Sequence, residues 1–227
     1  ALEEEPHELG DPGDWLAERK WDGIRGQLIV REGELFVWSR GEELVTDKFP
    51  EYHPLADILP DGTVMDGEIM PWKDGRPLSF QVLQTRIGRK NITKNILKKA
   101  PVVMIVYDLL EWEGQDIRQK PLRERRALLE KCLKENPSGG ILLLSETVPF
   151  DDWETLREER ENARQHRSEG VMLKRLDSPY KSGRRKGDWW KWKVDPLMID
   201  AVMIYAQRGS GRRANLFTDF TFAVWDG

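Results

Sequence analysis

At 227 residues, with 39% hydrophobic and 33% charged side chains, the chain is long enough for one sizeable core with room for a small second domain. No apolar run reaches the length of a membrane span, no signal peptide opens the chain, and the single Cys132 excludes an intrachain disulfide and fits a reducing cytoplasm. The net charge of −4 and three scattered histidines (His7, His53, His166) offer neither a uniformly basic surface nor a zinc site.

Residues 1–14 are acidic and rich in Pro and Gly, and read as a linker. Strands are expected over 15–20, 25–31 and 35–39, then a partly helical stretch over 48–59 broken by Pro50 and Pro54. Asp61-Gly62 and Asp74-Gly75 are turns that bracket a strand at 63–72. A helical stretch is expected over 79–99 and a β-rich central strand over 101–110. Pro121 opens an amphipathic helix with Leu122, Leu128, Leu129 and Leu133 facing inward. A strand over 141–148 precedes a charged helix, capped by Asp151 or Asp152, that runs to about residue 166. Strands return at 169–175 and 188–194. Hairpins interleaved with helices argue for an α+β, or mixed α/β, chain and not for a Rossmann fold. No Gly-rich phosphate loop is present, so side chains must hold any phosphates.

Charge is unevenly placed. Arg86, Arg89, Lys90, Lys94, Lys98 and Lys99 crowd 86–99 without an acid. Lys181, Arg184, Arg185, Lys186, Lys191 and Lys193 stand against Asp188 alone. Acid gathers at the start (Glu3, Glu4, Glu5, Glu8, Asp11, Asp14) and over 154–161. Basic runs on an acidic body are either solvated helix faces or patches that meet phosphates.

Lys20-Trp21-Asp22-Gly23-Ile24-Arg25 falls between two expected strands, with Asp22-Gly23 supplying turn chemistry. The lysine is either a solvated hairpin residue or a buried amine. Near other cations such an amine loses its proton more readily and becomes a nucleophile. Downstream follow Asp66-Gly67-Glu68, Tyr107-Asp108, Glu169-Gly170-Val171-Met172-Leu173-Lys174 and Lys191-Trp192-Lys193. Together and in this order, from about Trp15 to the C-terminus, these stretches resemble nucleotidyltransferase motifs I, III, IIIa, IV and V of ATP-dependent DNA ligases. Those ligases are relatives of the mRNA capping enzymes. The bacterial enzymes similar to eukaryotic replicative ligases show the closest likeness.

The resemblance implies a nucleotidyltransferase (adenylation) domain of antiparallel sheets flanked by helices over 15–195, and the first strands of an OB-fold barrel over 196–227. The family's motif VI, late in that barrel, is absent, so weak reaction with ATP is expected of this segment alone. The resemblance further implies that Lys20 attacks the α-phosphate of ATP, helped by Lys191 and Lys193, and keeps AMP as a phosphoramidate. Asp22 and Gly23 shape the turn. Glu18 would read adenine, Tyr107 and Met172 would sandwich it, and Arg25 and Arg40 would face the nucleotide or the DNA end. Lys174 would add to the phosphate-binding lysines. Glu68 and Glu169 would hold Mg²⁺, with Asp66 structural. Arg86, Arg89, Arg208, Arg212 and Arg213 are candidates for DNA contact. The cluster of Trp189, Trp190 and Trp192 is expected to pack and not to stack on bases. The implied partner is nicked duplex DNA, bound by a monomer in the bacterial cytoplasm, with replication, repair and recombination left open. Two alternatives remain at this point: an RNA ligase or GTP-using capping-type enzyme, and a non-catalytic nucleic-acid-binding module.

Overall fold

The structure, a computed structural model, describes residues 5–183, 185–195 and 198–225. Glu3 and Glu4 of the acidic opening, and Arg184 of the second basic run, lie outside the described residues. The chain divides into two compact units, Ala1–Val194 and Asp195–Gly227.

In chain order the first unit contains β1 (Trp15–Trp21), β2 (Ile24–Arg31), β3 (Glu34–Ser39), α1 (Leu55–Ile58), β4 (Thr63–Lys73), β5 (Arg76–Pro77), α2 (Phe80–Ile87), α3 (Lys94–Lys99) and β6 (Val102–Trp112). Then come β7 (Gln115–Asp116), α4 (Leu122–Glu135), β8 (Leu142–Leu144), α5 (Trp153–Glu161), β9 (Ser168–Arg175) and β10 (Trp189–Lys193). The mixed α/β architecture expected from the sequence is what forms.

Two sheets organise this unit. The larger runs β3-β2-β4-β6-β7, with β5 on β4 and β8 parallel to β6. Its central strands β4 and β6 are buried almost along their length, so both read as near-continuous apolar runs. β2 alternates instead, with Gly26, Leu28 and Val30 inward. The main core collects Leu28, Val37, Met65, Ile69, Met104, Val106 and Leu109 under the helices, and Leu129 and Cys132 of α4 complete it. The smaller sheet is the antiparallel trio β1-β9-β10. One face packs Trp15, Ala17, Val171 and Leu173 onto Leu156 of α5, with Trp190 and Trp192 beside them.

Three sequence expectations change. The turn at Asp22-Gly23 joins no hairpin: β1 pairs with β9 and β2 with β3 and β4, so the chain crosses from one sheet to the other there. A side chain at Gly23 would meet the Ile69 carbonyl oxygen at 2.5 Å and Met70 Sδ at 2.6 Å. The glycine is thus required by the close approach of β4. The 79–99 helix breaks into α2 and α3, because Thr93 caps a new helix by accepting from the Ile96 N–H. The 141–148 strand is split between sheets. Leu142–Leu144 pairs with β6, whereas the Val148 N–H donates to Ala17 O on β1.

The second unit is an antiparallel hairpin of β11 (Val202–Arg208) and β12 (Phe217–Ala223), the two strands assigned above to the opening of an OB barrel. Among the described residues no helix is long and apolar enough to cross a membrane.

Candidate active site

Strand alternation gives the small sheet one chemical face. On β1 it sends Glu18 and Lys20 away from the core that takes Trp15 and Ala17. On β9 Met172 and Lys174 share that face. On β10 Lys191 stands opposite Met172, and Trp189 opposite Lys174. Alternation alone would put Glu169 on the core side with Val171. Two irregularities turn it outward: a register shift between Arg19 and Trp21, and Gly170 at φ +137°. Only glycine fits there, since a Cβ would lie 2.2 Å from the Trp192 carbonyl oxygen.

Glu169 therefore meets Lys20 directly, in an ion pair across the sheet. Lys193 Nζ reaches the same carboxylate oxygen at 3.1 Å. Burial pushes the Glu169 carboxyl up, but hydrogen bonds from Lys20 and Lys193 outweigh it and hold it below the usual range. The larger sheet contributes Glu68 from β4. Burial, with Asp66 adding, raises its pKa to about 7, against the pull of Lys20, the Gly23 N–H and Arg25. Carboxyls shifted by burial and neighbouring charges cluster at working sites. Asp22 is also raised, by burial and then by Glu169. The cationic cluster expected around Lys20 thus includes a carboxylate that bridges Lys20 and Lys193.

A second cluster lies beside the first. Glu18 is 2% exposed; Arg126 Nη1 donates to its Oε1 at 2.6 Å, and Lys174 pairs with its Oε2. The Lys174 ammonium in turn sits 4.2 Å from the centroid of the Tyr107 ring and 4.5 Å from that of Trp189. Lys174, grouped above with the phosphate lysines, is thus buried at the Glu18 carboxylate. Asp66 is wholly buried and accepts from Arg25 Nε at 3.0 Å, Tyr180 Oη at 2.7 Å and Tyr107 Oη at 3.3 Å. It anchors the far edge of the Tyr107 ring, the supporting role expected of it, and engages Arg25. Behind Tyr107, Asp108 forms a fully buried pair with Arg125 at 2.8 and 2.9 Å.

Arg40 is exposed in the turn after β3. It lines a cleft of about 740 Å³ together with Arg25, Arg118, Tyr180, Lys181 and Arg185. This cleft adjoins the Asp66–Tyr107–Lys174 cluster through Arg25, Tyr180 and Trp189, and its lining does not include Lys20. Arg86 is not on a DNA-facing surface. It is fully buried, pairs with Glu51, donates to Lys48 O and Ala100 O, and lies over the Phe49 ring. Arg89 is exposed. In the second unit Arg208, Arg212 and Arg213 are exposed, with Arg208 over the Phe217 ring. Trp190 and Trp192 pack into the small core and Trp189 packs against Tyr180, as expected.

Sequence reasoning missed Arg125, Arg126 and Tyr180. For the arginines a signal existed: Leu122, Arg125, Arg126 and Leu129 occupy one stripe of α4, so two cations fall within its apolar face.

The family model of the ATP dependent DNA ligase domain matches residues 5–193. A probable DNA ligase of Koribacter versatilis is 34% identical over 93% of this chain and 40% of its own length. A DNA ligase of Thermococcus onnurineus is 34% identical over 92% of this chain and 37% of its own. The chain thus spans about two fifths of the length of these relatives. Among solved structures, mycobacterial DNA ligase D complexed with ATP and MES superposes with a TM-score of 0.67 at 29% identity, covering 93% of this chain and 62% of that one.

Proposed function

The chain belongs to the ATP-dependent DNA ligase family, and from that premise we propose that it is the catalytic core of such an enzyme, acting through Lys20. The observation that carries this reading is the cluster of Lys20, Glu169 and Lys193, which three separate strands bring to one oxygen.

Lys20 Nζ attacks the α-phosphorus of ATP; the bond to the β-phosphate oxygen breaks, pyrophosphate leaves, and the amine sheds its protons. An oxygen of the 5′-phosphate at a DNA nick then attacks the AMP phosphorus, the bond to Lys20 Nζ breaks, and the lysine leaves as the amine and takes back a proton. The 3′-hydroxyl attacks that phosphate, loses its proton, and expels AMP as the strand closes. Phosphoryl transfer depends mainly on positioning and charge neutralisation. Lys191 and Lys193 meet the phosphates from β10. Glu18 receives the exocyclic amine of adenine, and Tyr107 with Met172 encloses the ring. Arg25 and Arg40, on the shared cleft, face the ribose and the nick phosphate.

Glu68 and Glu169 suit Mg²⁺: they are hard oxygen donors, few enough to leave room for phosphate oxygens and water. Glu68, raised to about 7 by burial, is a carboxyl whose ionised form a cation would favour. Mg²⁺ there would supply positive charge at the triphosphate. Among the described residues no group of three or more acidic, His or Cys ligands exists, which fits an ion completed by substrate. Exposed Arg89, with Arg208, Arg212 and Arg213 of the second unit, holds the duplex through its phosphates without sequence preference. The protein acts as a monomer at the bacterial nucleoid.

Intact mass of the protein, before and after incubation with ATP and Mg²⁺, tests this. The mass of one AMP is expected on a fraction of the unmutated chain, given the weak reaction expected of this segment alone, and on none of Lys20→Ala. GMP added from GTP would move the reading to a capping-type enzyme. No adduct on a chain carrying the whole OB domain would overturn it in favour of a binding module.

A further inference from the structure

Arg126 has no role in the chemistry above, yet it is 8% exposed, and each of its three nitrogens has a separate partner. Nη1 donates to Glu18 Oε1 at 2.6 Å, Nη2 to Ser145 O at 2.6 Å, and Nε to Glu130 Oε1 at 2.9 Å. A planar guanidinium bound in three directions from a helix has one orientation available. It therefore fixes the plane of the Glu18 carboxylate. Lys174 holds the other oxygen, and its ammonium lies 4.2 Å from the Tyr107 ring centroid, so the carboxylate is fixed close to that ring. An ionised carboxylate offers about four acceptor sites, so two cations leave it able to accept further hydrogen bonds and unable to donate any.

We propose that Arg126 is a positioning residue for nucleobase selection, aligning Glu18 to accept from the amine of adenine and to repel a purine with an oxo group in its place. This rests on the reading above that Glu18 meets the base. A purine amine loses its charged hydrogen bond if Glu18 swings. An oxo group gains if Glu18 swings, because its lone pairs no longer face a carboxylate. Discrimination thus depends on the fixed plane more than on the presence of the acid.

The test is Lys20 nucleotidylation by the protein and its Arg126→Met, Arg126→Lys, Glu18→Gln and Glu18→Gln/Arg126→Met variants, with ATP and with inosine triphosphate. The unmutated protein is expected to prefer ATP by at least about 10-fold in kcat/KM, the scale of one charged hydrogen bond. Arg126→Met is expected to bring that preference to within about twofold, through KM and not kcat. Arg126→Lys keeps the charge but cannot span Glu18 and Ser145 together, so an intermediate preference is expected. On Glu18→Gln the methionine should change selectivity no further, which a merely structural arginine would not produce. An unchanged ratio in Arg126→Met, or equal losses for both nucleotides, would overturn the inference. If Arg126→Met fails to fold, Arg126→Lys decides: a lowered ratio supports the inference and an unchanged one refutes it. Equal use of the two nucleotides by the unmutated protein refutes it while leaving nucleotidyl transfer intact. Absence of any adduct and of ATP binding by calorimetry would refute both.

Discussion

Lys20 and Glu169, separated by 149 positions in the chain, form an ion pair that neither strand could make without the bulge in β1 and the backbone turn at Gly170. The carboxylate binds Lys193 as well, so one side chain keeps two cations at the place where a triphosphate would lie. Removing its charge while keeping its shape isolates that function. Glu169→Gln is expected to slow adenylation of Lys20 by roughly two orders of magnitude, because the lysines it holds lose their place, and one donor to a transferring phosphate is worth about that much. Since the side chain is 32% exposed, the melting temperature should move little. Intact-mass time courses and a thermal melt read the two effects separately.

Arg86 and Arg89 are three residues apart in a basic run and have opposite surroundings. Arg86→Ala leaves Glu51 unpaired and two backbone carbonyls without their donor. A loss of about 3 kcal/mol in unfolding free energy is expected, as for other buried pairs broken on one side. Arg89→Ala should leave stability within about 0.5 kcal/mol and weaken nick binding more at low salt than at high. Urea denaturation and mobility shifts at two salt concentrations check both.

At position 23, in the step from β1 to β2, only glycine fits against β4, because a Cβ would meet Glu68 Cγ at 2.9 Å as well as the Ile69 carbonyl. Gly23→Ala must shift backbone on β4, at a cost of about 1–3 kcal/mol. The shift falls on Glu68, so adenylation should drop further than stability does. Gly33→Ala, where nothing lies within 4 Å, is the control for backbone strain, since φ there is +74°. A larger adenylation loss in Gly33→Ala than in Gly23→Ala would refute the assignment.

Burial pushes the Cys132 thiol up from 9.0 to about 12. Between those values the unfolded chain has lost the proton that the folded chain keeps. The neutral thiol's contribution is fully present below pH 9.0 and is lost as pH rises toward 12. Each pH unit in the window should cost about 1.4 kcal/mol through this group alone. The slope of stability against pH should therefore be shallower in Cys132→Ala than in the parent, compared by urea denaturation at pH 8 and pH 10. Equal slopes would show that the thiol is not the cause.

Much of the small sheet was legible in the sequence. The alternation that puts Glu18 with Lys20 and Lys191 with Lys193, and the amphipathic stripe of α4, follow from periodicity, which neighbouring residues suffice to establish; the outward turn of Glu169 does not, since it needs the register shift in β1 and the backbone at Gly170. The run at 79–99 was misread because helix-forming residues on both sides masked the cap at Thr93. The Asp22-Gly23 step was misread because turn residues say that the chain bends, and not which sheet it enters next.

What the sequence alone determined is therefore the set of strands, the helix faces and the chemical identity of the lysine and carboxylates. Only the tertiary structure decided which charges are inside. Arg86, Arg125 and Arg126 are arginines in helical segments like their exposed neighbours, and their burial depends on Glu51, Asp108 and Glu18, which stand 35, 17 and 108 positions away. A charge can leave water only where its partner waits, and the pairing of distant strands, which no local pattern records, puts the partner there.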